Sequence, residues 1–235
     1  KQFSEMAQAY GLHPETKNAP HTHFRTDGKF ATIHFAVKCN PQMVMQLAKS
    51  AGSEFEVASV EEAEYVLKAL RDLEPSSKKR AQIDLKKVLH TNPARSVKSN
   101  KACLKMGIEK YVVQSGDALE KLDIAIKELQ ESKELPENFV PKILIRMVVD
   151  KEEGIESTGA AIESSRFGVE KKDAMWLVDR IVEKSFELYG LSFHVGSDEK
   201  NPQVFKNRRY FSNYCQASTS YPQMRSRISL HFNSR

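Results

Sequence analysis

Apolar runs and helix-spaced apolar positions alternate along most of this chain. Lys29–Val37 reads as a strand. Asn40-Pro41 then opens a helix, with Asn as N-cap and Pro at its first position. That helix carries Val44, Leu47 and Ala48 inward and stops at Gly52. Phe55–Ala58 is a short strand. Ser59 begins a helix with Glu62 three residues on, a capping-box spacing, and Val60, Ala63, Leu67 and Leu70 form its apolar stripe. Pro75 marks its end, and Pro75–Leu85 reads as a polar surface connection. Lys87–Thr91 is the next strand and Ser96–Met106 a helix closed by Gly107. Lys110–Gln114 is followed by a helix through Leu119, Leu122, Ala125, Ile126 and Leu129. Pro141–Val149 is the longest apolar run. Lys171–Tyr189 reads as a helix with Ala174, Leu177, Val178, Ile181 and Val182 inward and Gly190 as its cap, and Leu191–Val195 as the last strand.

Strands that alternate with helices or polar crossovers predict an α/β fold with a parallel sheet. A parallel (β/α) barrel of the TIM type is expected, with about six of its eight units present. The alternative is an open doubly wound sheet, disfavoured because no GxGxxG or P-loop pattern occurs. An incomplete barrel exposes the edges of its first and last strands. It is expected to aggregate, borrow strands from a partner, or lay its tail over the gap. The expected divisions are an N-terminal segment 1–28, a barrel domain 29–200 and an irregular basic tail 201–235. The first residue is Lys1, so an upstream segment is expected.

Charge changes this picture little. The net +5 comes from the tail: six of the 36 basic residues lie from Asn201 onward, where no acidic residue occurs. The 30 before them face 31 acidic residues, so the body is near neutral and a nucleic-acid function is not expected. No apolar run approaches the roughly 18 residues of a membrane span, and no secretory pattern opens the chain. Cys39, Cys103 and Cys215 are too few and too dispersed for a disulfide framework or a zinc site. A reducing cytoplasmic location is therefore expected.

Two strand ends carry chemistry. Lys38 ends the run FAVKCN (Phe35–Asn40), and His194 and Ser197 stand at the end of SFHVGS (Ser192–Ser197). In a parallel barrel such ends face one pocket. A lysine, an imidazole and a hydroxyl gathered there suit covalent capture of an aldehyde cofactor. The lysine must be neutral to attack, and burial favours the neutral form.

These motifs belong to an ordered set. FAVKCN, FEVAS at Phe55–Ser59 with Glu62 beyond it, Asn92-Pro93, ILIR at Ile143–Arg146, RFG at Arg166–Gly168 and SFHVGS occur in sequence. Over roughly Phe30 to Phe205 the chain resembles the eukaryotic ornithine decarboxylases and their relatives, the fold-type III pyridoxal-phosphate decarboxylases of basic amino acids. The resemblance implies an alanine-racemase-like barrel, normally followed by a β-domain, in a head-to-tail homodimer. It implies pyridoxal 5'-phosphate as cofactor and conversion of L-ornithine to putrescine in polyamine biosynthesis. Lys38 would hold the cofactor covalently, and His194 would stack on its ring. Ser197 would bond its phosphate, Arg146 would fix its charge, and Glu62 would contact its surroundings. Glu56 stands where the family usually has aspartate, Arg166 where it has lysine, Gln114 where it has aspartate and Asp198 where it has glycine. The family's glycine-rich phosphate run, its ring-nitrogen glutamate and its β-domain are not found after SFHVGS. The chain is thus expected to be a C-terminally truncated member that does not retain full activity. Two other readings stay open. One is a non-catalytic regulator that binds antizyme through the lysine-bearing segment Lys98–Leu122, and the other is a cofactor-binding carrier. Arginine and diaminopimelate are the alternative substrate types.

Overall fold

The structure, a computed structural model, describes residues 13–14, 23–26, 29–32, 34–49, 54–81, 83–148, 167–193 and 228–230. It divides into two units, Lys1–His90 with Met106–Ile108, and Thr91–Lys105 with Glu109–Arg235.

The first unit opens with a three-stranded antiparallel sheet of β1 (His13–Pro14), β2 (His23–Thr26) and β3 (Lys29–Thr32). The run predicted as one strand over Lys29–Val37 is therefore two. β4 (His34–Ala36) belongs to a separate parallel set with β5 (Glu54–Val57) and β6 (Leu89–His90). Val37–Cys39 leaves β4 as a 3-10 turn, and a second such turn, Pro41–Met43, leads into α1 (Val44–Ala48). α2 (Val60–Leu73) starts as the sequence predicts, and Ala63, Val66, Leu67 and Ala69 form its buried stripe. The connection after Pro75 holds a short helix, α3 (Ser77–Ala81), that its polar composition did not reveal. Gly107 takes φ +88, as the end of the preceding helix requires, with its Cα close against Asp84.

The second unit contains α4 (Val97–Lys105), β7 (Lys110–Val113), α5 (Gly116–Glu131), β8 (Lys142–Arg146), α6 (Lys171–Glu183), β9 (Glu187–Phe193) and β10 (Ile228–Leu230). β7, β8, β9 and β10 pair in that order, all parallel. The middles of β7 and β8 are buried without interruption at Tyr111–Val113 and Ile143–Ile145. Such continuous burial is how a strand of a parallel sheet with both faces covered reads. Each such side chain contributes roughly 1.5–3 kcal/mol by leaving water. The covering faces are Leu119, Leu122, Ala125, Ile126 and Leu129 of α5 and Ala174, Leu177, Val178 and Ile181 of α6. Val182, expected inward, is exposed.

The largest departure from the sequence reading is at 184–190. The predicted helix through Tyr189 ends instead at Glu183, and Gly190 lies inside β9. Ser185 adopts φ 57 while Phe186 N–H donates to Ile181 O (3.1 Å) and Ser185 N–H to Val182 O (2.8 Å). This is the Schellman closure, made with serine where glycine is the usual signal. The same closure ends α5 with Lys133 at φ 60. β9 then pairs Leu188 with Ile143 and Gly190 with Leu144, so Tyr189 is the extra residue of a bulge. β10 lies in the segment predicted to be an irregular tail. It pairs Ile228 with Leu191 and Leu230 with Phe193, covering the edge of β9 that an incomplete barrel was expected to expose.

On the outer face of this unit, buried Asp123 of α5 receives Lys184 (2.5 Å) and Lys127 (2.9 Å), and Lys184 also reaches Glu120 (2.9 Å). Burial pushes the Asp123 carboxyl up, but the bonds from Lys184 and Lys127 outweigh it and hold the group below its ordinary value. Burial likewise pulls Lys184 down, and its bonds to Asp123 and Glu120 outweigh that and raise it. A lowered carboxyl stabilises the fold above its unfolded pKa, and that contribution fades as pH falls through the folded value. Urea midpoints of the wild-type chain should therefore drop below about pH 4 more steeply than those of Asp123→Asn. Equal pH slopes for the two proteins would sink this expectation.

Candidate active site

In the first unit, Lys38 sits in the 3-10 turn two residues beyond β4, at the C-terminal edge of the parallel strands. Val37 beside it is fully buried and anchors the turn, while the Lys38 side chain is exposed. The burial expected for this lysine is thus not found: the strand ends at Ala36, and the turn swings the next side chains outward. Glu56 is buried on β5, level with Ala36 across the pair and so one strand over from the approach to Lys38. Glu62 caps the start of α2, making the Ser59 Oγ half of a capping box and bonding the residue before the N-cap in place of the N-cap itself. Its Oε2 accepts from Ala58 N–H (2.8 Å), and its own N–H donates to Ser59 Oγ (3.2 Å). The helix-capping role of Glu62 is therefore occupied at the same sheet edge.

The sequence reading missed a second carboxylate on this strand. Glu54 is buried and pairs across β4–β5 with His34, Nε2 to Oε2 3.3 Å. Glu54 and Glu56 are two residues apart and share a face, so β5 presents two buried carboxylates in a run otherwise built of Phe55 and Val57. The alternation EFEV was the available signal.

In the second unit, Arg146 is the last residue of β8, paired in register with Ser192 of β9. Its Cζ lies 5.2 Å from the centre of the Phe167 ring, a cation–π contact. Gly168 N–H donates to Gln114 Oε1 (3.1 Å) just beyond β7, and Val169 N–H donates to Arg146 O (2.7 Å). Gly168 and Val169 are therefore fastened across the C-terminal ends of β7 and β8. Arg166, His194 and Ser197 lie outside the described residues, which reach Phe193, the residue before His194. Cys215 and Asp198 also lie outside them.

Gly168 is required by geometry. Its φ is +117, and an added Cβ would stand 2.6 Å from Met147 C and Val148 N, backbone atoms that cannot yield. Gly168→Ala should lower the unfolding free energy by about 2 kcal/mol or more. A urea titration giving a loss under half of that would contradict the close approach.

A buried cation was also missed. Arg95, between β6 and α4, donates to Asn92 O, to Val112 O (3.0 Å) and through Nε to Asn100 Oδ1 (2.8 Å), with its Cζ 5.1 Å from the Tyr111 ring centre. Burial lowers its pKa to about 10. The same burial holds the Tyr111 hydroxyl well above its usual value.

The lysines of 98–122 do not form an uncompensated basic surface. Lys101 pairs with Glu128, Lys105 with Glu134 (2.5 Å) and Lys121 with Asp117 (2.6 Å). Cys39 is exposed and Cys103 buried. Among the described residues no group of acidic, histidine or cysteine side chains could hold a metal. No helix among them is long and apolar enough to cross a membrane.

A family model described as "Pyridoxal-dependent decarboxylase, pyridoxal binding domain" matches residues 18–219 of this chain. The chain belongs to this family. The cofactor of the family is pyridoxal 5'-phosphate. Among curated relatives, ornithine decarboxylase of Mus pahari is 25% identical over 175 residues, covering 74% of this chain and 32% of that protein. The probable ornithine decarboxylase of Dictyostelium discoideum is 25% identical over 167 residues, covering 70% and 30%. The chain thus spans about a third of the curated relatives' length. Among solved structures, the Paramecium bursaria Chlorella virus arginine decarboxylase superposes with TM-score 0.62 at 17% identity, over 85% of this chain and 46% of that one. The lysine/ornithine decarboxylase from Vibrio vulnificus complexed with putrescine gives TM-score 0.58 at 21% identity, over 85% and 45%. These likenesses show the fold: the six parallel strands β4–β9 and their helices are part of a TIM-type barrel.

Each unit carries a group whose chemistry suits the cofactor. An exposed primary amine at the end of β4 and a guanidinium at the end of β8 are the groups that an aldehyde-bearing phosphate ester calls for.

Proposed function

We propose that this chain is the cofactor-binding barrel portion of a decarboxylase acting on a basic amino acid, with L-ornithine as substrate and putrescine as product. The observation that carries this reading is Lys38 within FAVKCN, presented from the turn after β4 at the C-terminal strand edge. Lys38 would hold the cofactor through its primary amine, the group that an aldehyde calls for. Arg146 holds positive charge at the end of β8 in the second unit, and Phe167 orients its guanidinium. By the family resemblance, His194 would stack on the cofactor ring and Ser197 would donate to its phosphate. Buried Glu56 supplies a carboxylate on the strand next to Lys38. When bound, the cofactor supplies the electron sink that makes loss of carbon dioxide from the amino acid feasible.

Ornithine is favoured over arginine and lysine by the curated relatives and by FAVKCN and SFHVGS as they stand. A dimer of the kind usual in the family, in the cytoplasm, is part of the same proposal. The antizyme-binding reading draws less support, because three of its five lysines are already paired within the chain. The deciding experiment is carbon-dioxide release by the purified chain with pyridoxal 5'-phosphate and, in turn, ornithine, lysine and arginine. Release from ornithine at the highest kcat/KM supports the reading. Release from another of the three moves the substrate, and cofactor binding without release from any leaves a carrier.

A further inference from the structure

The turn at Phe167–Gly168 is held by few contacts, and one of them is a side chain. Val169 is fixed by backbone bonds to Arg146 O (2.7 Å) and from Val148 N–H (3.1 Å). Gly168 itself is held by Gln114, whose Oε1 accepts its N–H at 3.1 Å. Phe167 is 46% exposed, so core packing does not fix its ring. The ring nonetheless stands against the Arg146 guanidinium, 5.2 Å from Cζ. Where the ring stands depends on the backbone that Gln114 holds.

We propose that Gln114 is a positioning residue for Arg146, acting through Gly168 and Phe167. The amide latches the turn to the end of β7, the turn places the ring, and the ring sets the direction of the guanidinium. An amide suits this place. It accepts the Gly168 N–H as a carboxylate would, but it brings no negative charge that would draw Arg146 away from an anionic ligand. It also does not titrate, so the latch holds across pH. The ligand class is the anionic cofactor, and to that extent the inference rests on the function proposed above.

The test compares Gln114→Ala, Gln114→Glu, Phe167→Leu and the double variant Gln114→Ala/Phe167→Leu in the full chain. Two readouts need no cofactor: hydrogen exchange at the Gly168 amide, and the ring-current shift of the Arg146 side-chain protons. A third is the Kd for pyridoxal 5'-phosphate. Gln114→Ala should speed Gly168 exchange and weaken cofactor binding about tenfold, the worth of one hydrogen bond. It should also shrink the Arg146 shift, which Phe167→Leu removes. Gln114→Glu should restore Gly168 protection. The double variant should bind no more weakly than Phe167→Leu alone, because both changes act through one ring. Unchanged Gly168 exchange in Gln114→Ala would overturn the latch. Multiplying losses in the double variant, or an unchanged Kd alongside faster exchange, would overturn the positioning role. A wild-type chain with the Arg146 shift but no cofactor binding would overturn the proposed function and remove the ligand from this inference, leaving the latch standing.

Discussion

Lys38→Ala abolishes the visible absorption band that the purified chain develops with pyridoxal 5'-phosphate and retains through dialysis. Joining the cofactor's aldehyde to an amine moves its band to longer wavelength, and a shifted band that persists through dialysis requires an amine held in place by the protein. Lys38 is in the tight turn Val37–Cys39, anchored by fully buried Val37, so its backbone is fixed while its side chain reaches outward. Because the side chain is exposed, its removal uncovers no cavity, and the urea midpoint should stay within experimental error. Loss of the band with stability kept therefore assigns the capture to this residue. A band of equal strength in Lys38→Ala, surviving the same dialysis, would show that another lysine is responsible and would remove the main support for the proposed decarboxylase. Covalent capture is an all-or-none property, which makes this the largest effect expected of any single substitution here.

Arg95→Met lowers the unfolding free energy by about 3 kcal/mol, and two opposing effects decide that figure. Burial depresses the Arg95 pKa from 12.5 to about 10. Removing the charge relieves that desolvation, worth roughly 3 kcal/mol on the scale of about 1.4 kcal/mol per pKa unit. Against this, three buried acceptors lose a charged donor: Asn92 O, Val112 O and Asn100 Oδ1. Each such bond is worth about 2 kcal/mol, so the loss outweighs the relief. The substitution also frees the end of β7 from the loop before α4, so hydrogen exchange should rise there first. A companion change goes the other way. Arg95 Nη2 and Asn100 Nδ2 are buried donors without a hydrogen-bond partner among the described residues. Asn100→Asp replaces one of them with an acceptor facing the guanidinium and should raise stability by about 1 kcal/mol at neutral pH, a gain lost when the carboxyl protonates. Urea titrations of the three proteins suffice. A loss under 1 kcal/mol in Arg95→Met would mean that desolvation, not bonding, dominates this buried charge.

The elements legible in the sequence were those with local signals. α2 announced itself through Ser59 and Glu62: Ser59 Oγ accepts from Glu62 N–H as the spacing predicts, and the Glu62 carboxylate reaches back one residue further, to Ala58 N–H. β7 and β8 announced themselves as short uninterrupted apolar runs, and their parallel pairing follows from the helix between them. The end of α6 was not legible, because Ser185 closes it in the left-handed region without the glycine that usually marks such a closure. Gly190, which looked like that cap, marks the bulge of β9 instead. The short helix at Ser77–Ala81 and the strand at Ile228–Leu230 carry too few residues to show a period.

For the candidate site, residue identity was local and environment was not. The sequence determined which residues are candidates for the chemistry: Lys38 and Arg146 fall at strand ends because the apolar runs stop beside them. It determined the family as well, since six short motifs in order specify it. Only the tertiary structure decided that Lys38 is exposed, that Arg146 faces Phe167, and that Gln114 fastens Gly168. It alone paired His34 with Glu54 and enclosed Arg95. The reason is physical. Strand and helix propensity act over a few neighbouring residues, whereas burial and charge pairing join residues such as Gln114 and Gly168 that lie far apart along the chain and meet only when parallel strands bring their ends to one edge.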